Sequence, residues 1–237
     1  MRAQALKRLA FIILSSELGQ YQAQLPDIQE RLSDNLRLSQ VPIVHAQVFL
    51  CYRVLLIRQK PQHLVSIWPS MVTELVHVLL QIEQQLSGTT NVSDDLKCDR
   101  NDQWMQLYLA ACKLLETCHW AFVNSVAASN IDSFVPFASR IDRLLRNKYG
   151  QLSAHGRKFM SASLVNVKTL TSFSELRSFF LALATQNEMR VLTMHFSFDK
   201  EVQLRDAHFL NGSLSYKAAI NRLEHALYVD FAEHWQL

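Results

Sequence analysis

The sequence predicts an all-α fold of stacked antiparallel helix pairs, resembling a HEAT or armadillo-type solenoid. Three observations point there. Glycine and proline are scarce, five of each in 237 residues, whereas an all-β chain draws heavily on both for its tight turns. Apolar residues recur at spacings of three and four along most of the chain, which places them on single helix faces. The first part of the chain also divides into two helix pairs of about forty residues each, the length of such repeats, although no clean sequence repeat relates the pairs.

The elements follow in order. Residues 1–18 carry Leu6, Leu9, Ala10, Ile13 and Leu14 on one stripe, with Gly19 as a stop signal. Pro26–Arg37 buries Ile28, Leu32 and Leu36 and turns Asp27, Glu30, Arg31 and Asp34 to water. Val41–Arg58 is apolar nearly all round, so it must be covered on several sides and is the candidate central helix. Its demand for cover suggests dependence on the rest of a longer parent protein. Pro61–Trp68 reads as a short helix. Pro69–Leu86 reads as a long one, with Met71, Val72, Leu75, Leu79, Ile82 and Leu86 inward.

Gly88–Asp102 is polar, aperiodic and rich in turn formers, and reads as a loop between sub-blocks. The expected organisation is therefore a helical-repeat block at 1–87, a polar loop at 88–102 and a second helical block at 103–237. In the second block, Trp104–Cys118 and Val135–Lys148 are helical. The sequences around Leu164–Val167 and Leu192–Phe198 permit one or two short strands within 160–200. Ser172 and Glu175 have capping-box spacing, and Leu176, Phe179, Phe180 and Leu183 follow as a helical stripe. Ser215–Trp235 closes with Tyr216, Ile220, Leu223, Leu227, Phe231 and Trp235 on one side.

Composition bounds the function. Apolar residues make up 49% and charged residues 19% of the chain, and the net charge is +3. There is enough apolar material for a core, and disorder of the whole chain is excluded. The four cysteines do not make a disulfide scaffold, and Cys51 lies in an apolar run where a thiol packs as a small hydrophobe. A reducing, cytoplasmic location follows. Leu9–Leu14 is too short to span a bilayer, and the long apolar stretch Val48–Ile57 is interrupted by Arg53. Any membrane association is expected to be peripheral.

Motifs for catalysis are missing. The glycines stand isolated at 19, 88, 150, 156 and 212, so no phosphate-cradling loop is present. Cys112, Cys118 and His119 come nearest to metal-ligand spacing, but six residues are about 600° of helix and separate the two thiols. His225 and His234 lie beside Glu224 and Glu233, yet no nucleophile accompanies them, and a solvated helix face accounts for them better. His45 and His77 read as core or groove histidines. The expectation is a non-enzyme with no catalytic residue, no cofactor and no metal.

One charge feature rises above the background. Arg140, Arg143, Arg146, Lys148, Arg157, Lys158 and Lys168 are opposed within that segment only by Asp142. Arg140, Arg143 and Arg146 share a helix side. Such a patch can collect the phosphates of acidic lipid or of nucleic acid, and a merely solvated helix face and basic loop explain it equally well. Aromatic interleaving is poor, which argues against single-stranded nucleic acid. A nucleic-acid-binding helical module is the alternative reading, and an enzyme with a dispersed site is the weakest.

Several segments resemble the C-terminal region of the Dopey family. They are Lys7–Phe11, Leu25–Leu32, His45–Arg58, Trp68-Pro69 with Thr73–Val76, Leu109–Leu115 and Trp120–Val123. The likeness is dense over about residues 1–123 and looser beyond. It departs at Glu116–His119, a shorter connection than the family pattern carries. The resemblance implies a very large peripheral protein of Golgi, trans-Golgi and endosome membranes that serves vesicle traffic between them. It implies a large Arf-exchange-factor-like scaffold as partner, links to aminophospholipid flippases and kinesin, and phosphoinositide binding by the C-terminal region. It supplies no catalytic residue.

Overall fold

The computed structural model describes residues 1–88, 97–122, 134–150, 163–185 and 213–232. These residues form eight α-helices and no strand, an all-α, solenoid-like stack. The helices are α1 (Arg2–Ser15), α2 (Leu25–Leu38), α3 (Pro42–Arg58), α4 (Trp68–Ser87), α5 (Lys97–Phe122), α6 (Val135–Tyr149), α7 (Arg177–Ala184) and α8 (Ser213–Ala232). Proline in the first turn opens α2, α3, α4 and α6, where a missing N–H costs no helical bond.

The centre is α3. From Val48 to Ile57 every residue is buried, Arg53 included. The helix is covered by α1, α2, α5 and α8, so the chain itself supplies the cover that the sequence suggested a parent protein must provide. Fully burying one Leu or Phe is worth ~1.5–3 kcal/mol, and α3 buries Phe49, Tyr52 and Leu55 almost completely. Beside α3, α5 is buried continuously from Ala111 to Cys118. Cys112 and Cys118 are six positions apart, yet both thiols are enclosed, because this part of α5 is covered all round. On the far side, α4 packs on α5 and α6, and α6 packs on α7.

Several expectations are corrected. The first helix ends at Ser15, not at Gly19: the Ser16 hydroxyl donates to the Ile13 carbonyl and closes the last turn. Gly19 instead adopts φ +77°, which a side chain would strain, and its N–H bonds the Arg58 carbonyl at the end of α3. Pro61–His63 is a single 3-10 turn. Helix α5 begins at Lys97, inside the stretch read as a polar loop; no glycine or proline between 97 and 122 interrupts it. The segment around Leu164–Val167 is a turn closed by Val167 N–H on the Leu164 carbonyl, not a strand. Leu164 and Val165 are both buried although adjacent, which an alternating strand does not allow. Leu192–Phe198 lies outside the described residues.

The start of α7 follows the sequence reading. The Ser172 hydroxyl accepts the Ser174 N–H, and the Glu175 carboxylate accepts the Ser172 N–H at 3.0 Å. The box nucleates a 3-10 turn, Phe173–Leu176, that passes into α7. Leu176, Phe179, Phe180 and Leu183 are all buried.

Candidate functional site

Helix α6 sets out the basic segment. Ala138, Ile141 and Leu145 recur at three and four residues and fix the inner face. Arg143, Arg146 and Lys148 are left exposed on the outside. Arg146 and Lys148 fall in the last turn, where cations complement the carbonyl end of the helix dipole.

The seven basic residues are not equivalent. Arg140 is held by Glu83 of α4 through two hydrogen bonds and lies 4.6 Å over the Phe137 ring. It serves the α4–α6 contact. Arg146 pairs with Asp142 one turn earlier at 2.7 Å. Burial raises the Asp142 carboxyl above its ordinary range, opposed by the Arg146 charge and hydrogen bond. Arg143 has no carboxylate partner among the described residues, and the Lys148 ammonium lies 5.9 Å from the Tyr149 ring centre. Lys168 is exposed in the turn-rich segment before the capping box. Arg157 and Lys158 lie outside the described residues.

A second charged constellation is interior. Arg53 of α3 and Lys113 of α5 are 3% and 4% exposed and converge on one carboxylate, Asp230 of α8. The distances are 2.8 Å from Arg53 Nη1 and 2.7 Å from Lys113 Nζ. Arg53 Nε also donates to the Thr117 hydroxyl, which itself donates to the Lys113 carbonyl. Burial lowers the Lys113 ammonium pKa, opposed mainly by Asp230. One turn along α5, Glu116 accepts the Ser163 hydroxyl at 2.5 Å and the Leu164 N–H at 2.8 Å. Burial raises its carboxyl to about 6, against those bonds and the nearby Arg53 and Lys113 charges.

Sequence reasoning used Arg53 only as an interruption of an apolar run. The signal was there: a lone charge amid Val48–Ile57 must be paired once that helix is buried. Glu224 does not orient His225; it pairs with Arg58 of α3 at 2.7 Å, and His225 is exposed. His77 is a surface residue, its side chain 61% exposed. His45 is the groove histidine: Nδ1 meets Glu74 and Nε2 meets the Ser39 carbonyl, each at 2.6 Å. Burial alone would lower the His45 pKa, but the Glu74 hydrogen bond and charge and the Ser39 carbonyl raise it.

The thiols do not suit chemistry. Burial pushes the Cys51 thiol up to about 12 and raises those of Cys112 and Cys118. Among the described residues no group of three or more His, Cys, Asp or Glu could hold a metal ion, and no helix is long and apolar enough to cross a membrane.

Comparison with known proteins agrees with the resemblance seen in the sequence. The family model for the DOP1 C-terminal region matches residues 1–187. Protein pad-1 of Caenorhabditis briggsae is 52% identical over 99% of this chain. Protein DOP1B of Xenopus laevis is 34% identical, and the DOP1 homolog of Drosophila melanogaster 33% identical, each over 77% of the chain. The chain spans about a tenth of the length of these relatives, 10%, 10% and 9% respectively. No solved structure matches. With 187 of its residues covered by the family model and relatives above 30% identity, the chain belongs to the Dopey (DOP1) family, in its C-terminal region.

Proposed function

We propose that this chain is a non-catalytic scaffold or adaptor module in protein and vesicle traffic between Golgi and endosomes. It acts through helix-face protein contacts and through the basic outer face of α6 on membranes bearing acidic phosphoinositides. The observation that carries the membrane part is the exposure of Arg143, Arg146 and Lys148 on one short helix whose inner face is fixed in the core. Phosphate groups attract such cations to a peripheral site at the cytoplasmic leaflet. Traffic itself, and the partners expected of the parent protein (an Arf-exchange-factor-like scaffold, a flippase, kinesin), rest on the family resemblance. Arg140 is left out of the lipid face, because Glu83 holds it in the α4–α6 contact, whereas Arg146, half exposed, would exchange its Asp142 partner for phosphate.

Vesicle flotation tests the reading. Each basic residue near an anionic surface contributes ~1 kcal/mol, so Arg143→Glu, Arg146→Glu and Lys148→Glu together should weaken flotation with phosphoinositide vesicles at least about 100-fold. Equal flotation of wild type and variant would remove the α6 face from the reading. Salt-sensitive retention of RNA with no vesicle binding would favour a nucleic-acid module instead.

A further inference from the structure

The connector between α2 and α3 is positioned by polar bonds and not by packing. Its flanking side chains, Leu38 and Val41, are 67% and 46% exposed. Ser39 ends α2 in an extended conformation with its N–H on the Asn35 carbonyl, and its hydroxyl accepts the Val41 N–H at 3.3 Å. The Ser39 carbonyl meets Nε2 of His45, in the first turn of α3, at 2.6 Å. The other ring nitrogen, Nδ1, meets the Glu74 carboxylate of α4 at 2.6 Å. One imidazole therefore ties the connector, α3 and α4 together. Helix α2 buries only three side chains in 14 residues, Leu25, Ile28 and Leu32, so this tie matters to where its C-terminal end lies.

Both partners of the ring are acceptors. A carbonyl has no proton to give, and an ionised carboxylate has none either. A neutral imidazole carries one N–H and satisfies one of the two, whereas the imidazolium carries two and satisfies both. Moving the shared proton from Nδ1 to Glu74 does not change this count: the two bonds together require two protons. Position favours the same state, because Ser39 closes the carbonyl end of α2, where the helix dipole attracts a cation. The charged groups around the ring are few. From α4, Glu74 faces it, and His77 reaches the second Glu74 oxygen at 3.6 Å. On α3, the Tyr52 hydroxyl feels the Glu74 charge but is kept neutral, its pKa raised by burial. On α2, Asp34 and Arg37 pair with each other at 2.9 Å.

We propose that His45 is a proton-operated latch: its imidazolium fastens the α2–α3 connector to α4, and loss of one ring proton as pH rises frees the connector and the C-terminal end of α2. The Glu74 and Ser39 bonds hold that proton more tightly in the folded chain than it is held in the unfolded one. The latch is therefore closed below the ordinary histidine value of 6.5 and opens as pH rises through the folded value. The side chains of His45 and Glu74 are 14% and 13% exposed, so solvent can deliver and remove the proton without unfolding the core.

Amide hydrogen exchange on the full chain tests the latch between about pH 5.5 and about pH 9, a range that brackets histidine titration. The rates are read as protection factors, so that base catalysis of exchange divides out. Protection of the Ser39 and Val41 amides should fall about tenfold or more across the range, because a charge-assisted hydrogen bond is lost. Val54 and Leu55, wholly buried in the middle of α3, should not change. His45→Gln, which has no proton to titrate, should abolish the step, and His77→Gln should keep it. Nitrogen-detected NMR of the wild-type ring gives a reading that needs no variant to fold: both ring nitrogens should be protonated at about pH 6, with a midpoint above 6.5. Flat protection at Ser39 and Val41, a step that survives His45→Gln, or a His45 midpoint at or below 6.5 would each overturn the proposal.

Discussion

The carboxyl of Glu116 gives the sharpest test of the interior. Its ordinary value is 4.5 and burial raises it to about 6 in the folded chain. The native state therefore binds the proton more tightly than the unfolded state. Between those two values stability falls as pH rises, because folding must then enclose an ionised carboxylate. At 1.36 kcal/mol per pH unit, the interval amounts to ~2 kcal/mol by pH 7. Glu116→Gln mimics the protonated acid: its amide oxygen can still accept the Leu164 N–H, and the Ser163 hydroxyl can rotate to accept. Urea unfolding followed by tryptophan fluorescence, repeated from pH 4.5 to 7.5, should find the two proteins equal at the acid end. The Gln variant should be ~2 kcal/mol the more stable at pH 7. Glu116→Ala differs from Glu116→Gln, since it strands the buried Leu164 N–H; it should be ~1–3 kcal/mol less stable than the Gln variant. Parallel pH curves for wild type and the Gln variant would show that Glu116 does not bear the burial penalty, and the reasoning would fail.

Three further outcomes are expected. His45 has a folded pKa raised above its ordinary 6.5, so its bond to Glu74 stabilises fully below about 6.5 and is lost as pH rises through the folded value; His45→Gln should lose ~1–3 kcal/mol at pH 6 and little at pH 9, read by thermal melts at both. Phe180 is wholly buried against Phe179 at 5.3 Å, so Phe180→Ala should cost ~3–5 kcal/mol in urea unfolding, whereas exposed Arg143→Ala should stay within ~0.5 kcal/mol. Ser172→Ala removes the hydroxyl half of the capping box before α7 and should cost ~1 kcal/mol. The Glu175 carboxyl of that box is held below its ordinary value, mainly by the Thr171 hydroxyl. Its contribution is present above about pH 4.5 and lost as pH falls through the folded value, so Glu175→Ala should differ least from wild type in acid.

The helices were legible wherever local chemistry decides them. Proline at 26, 42, 69 and 136 marks first turns, and the buried stripes of α2, α4, α6 and α7 follow from spacing alone. The all-apolar character of α3 announced its central place. Legibility ended where tertiary contacts overrule composition. The polar residues after Lys97 look like loop, yet the helix begins there. Leu164 and Val165 look like strand, yet Glu116, 48 residues earlier, fixes the Leu164 amide. The basic segment was legible as a segment, but not its division: that Arg140 belongs to Glu83 depends on how α4 meets α6, which no local pattern encodes.

The two kinds of charge in this chain follow opposite logics. On α6 the cations are clustered in sequence and lie toward the surface, where each contributes little to stability, and Arg143 and Lys148 have no carboxylate partner among the described residues. In the interior the charges are single residues set in apolar helices, and their partners lie far away: Asp230 comes 117 positions after Lys113 and 177 after Arg53. Such a pair is weak evidence for stability, because desolvation offsets much of the attraction. Its geometric consequence is stronger. Sliding α8 by one turn would move Asp230 about 5.4 Å along the axis, off both cations, and would leave three charges enclosed without partners. The apolar stripe of Leu223, Leu227 and Phe231 imposes no comparable penalty, since neighbouring turns of an apolar seam are near substitutes for one another. Asp230 is therefore what sets the register of α8 against α3 and α5.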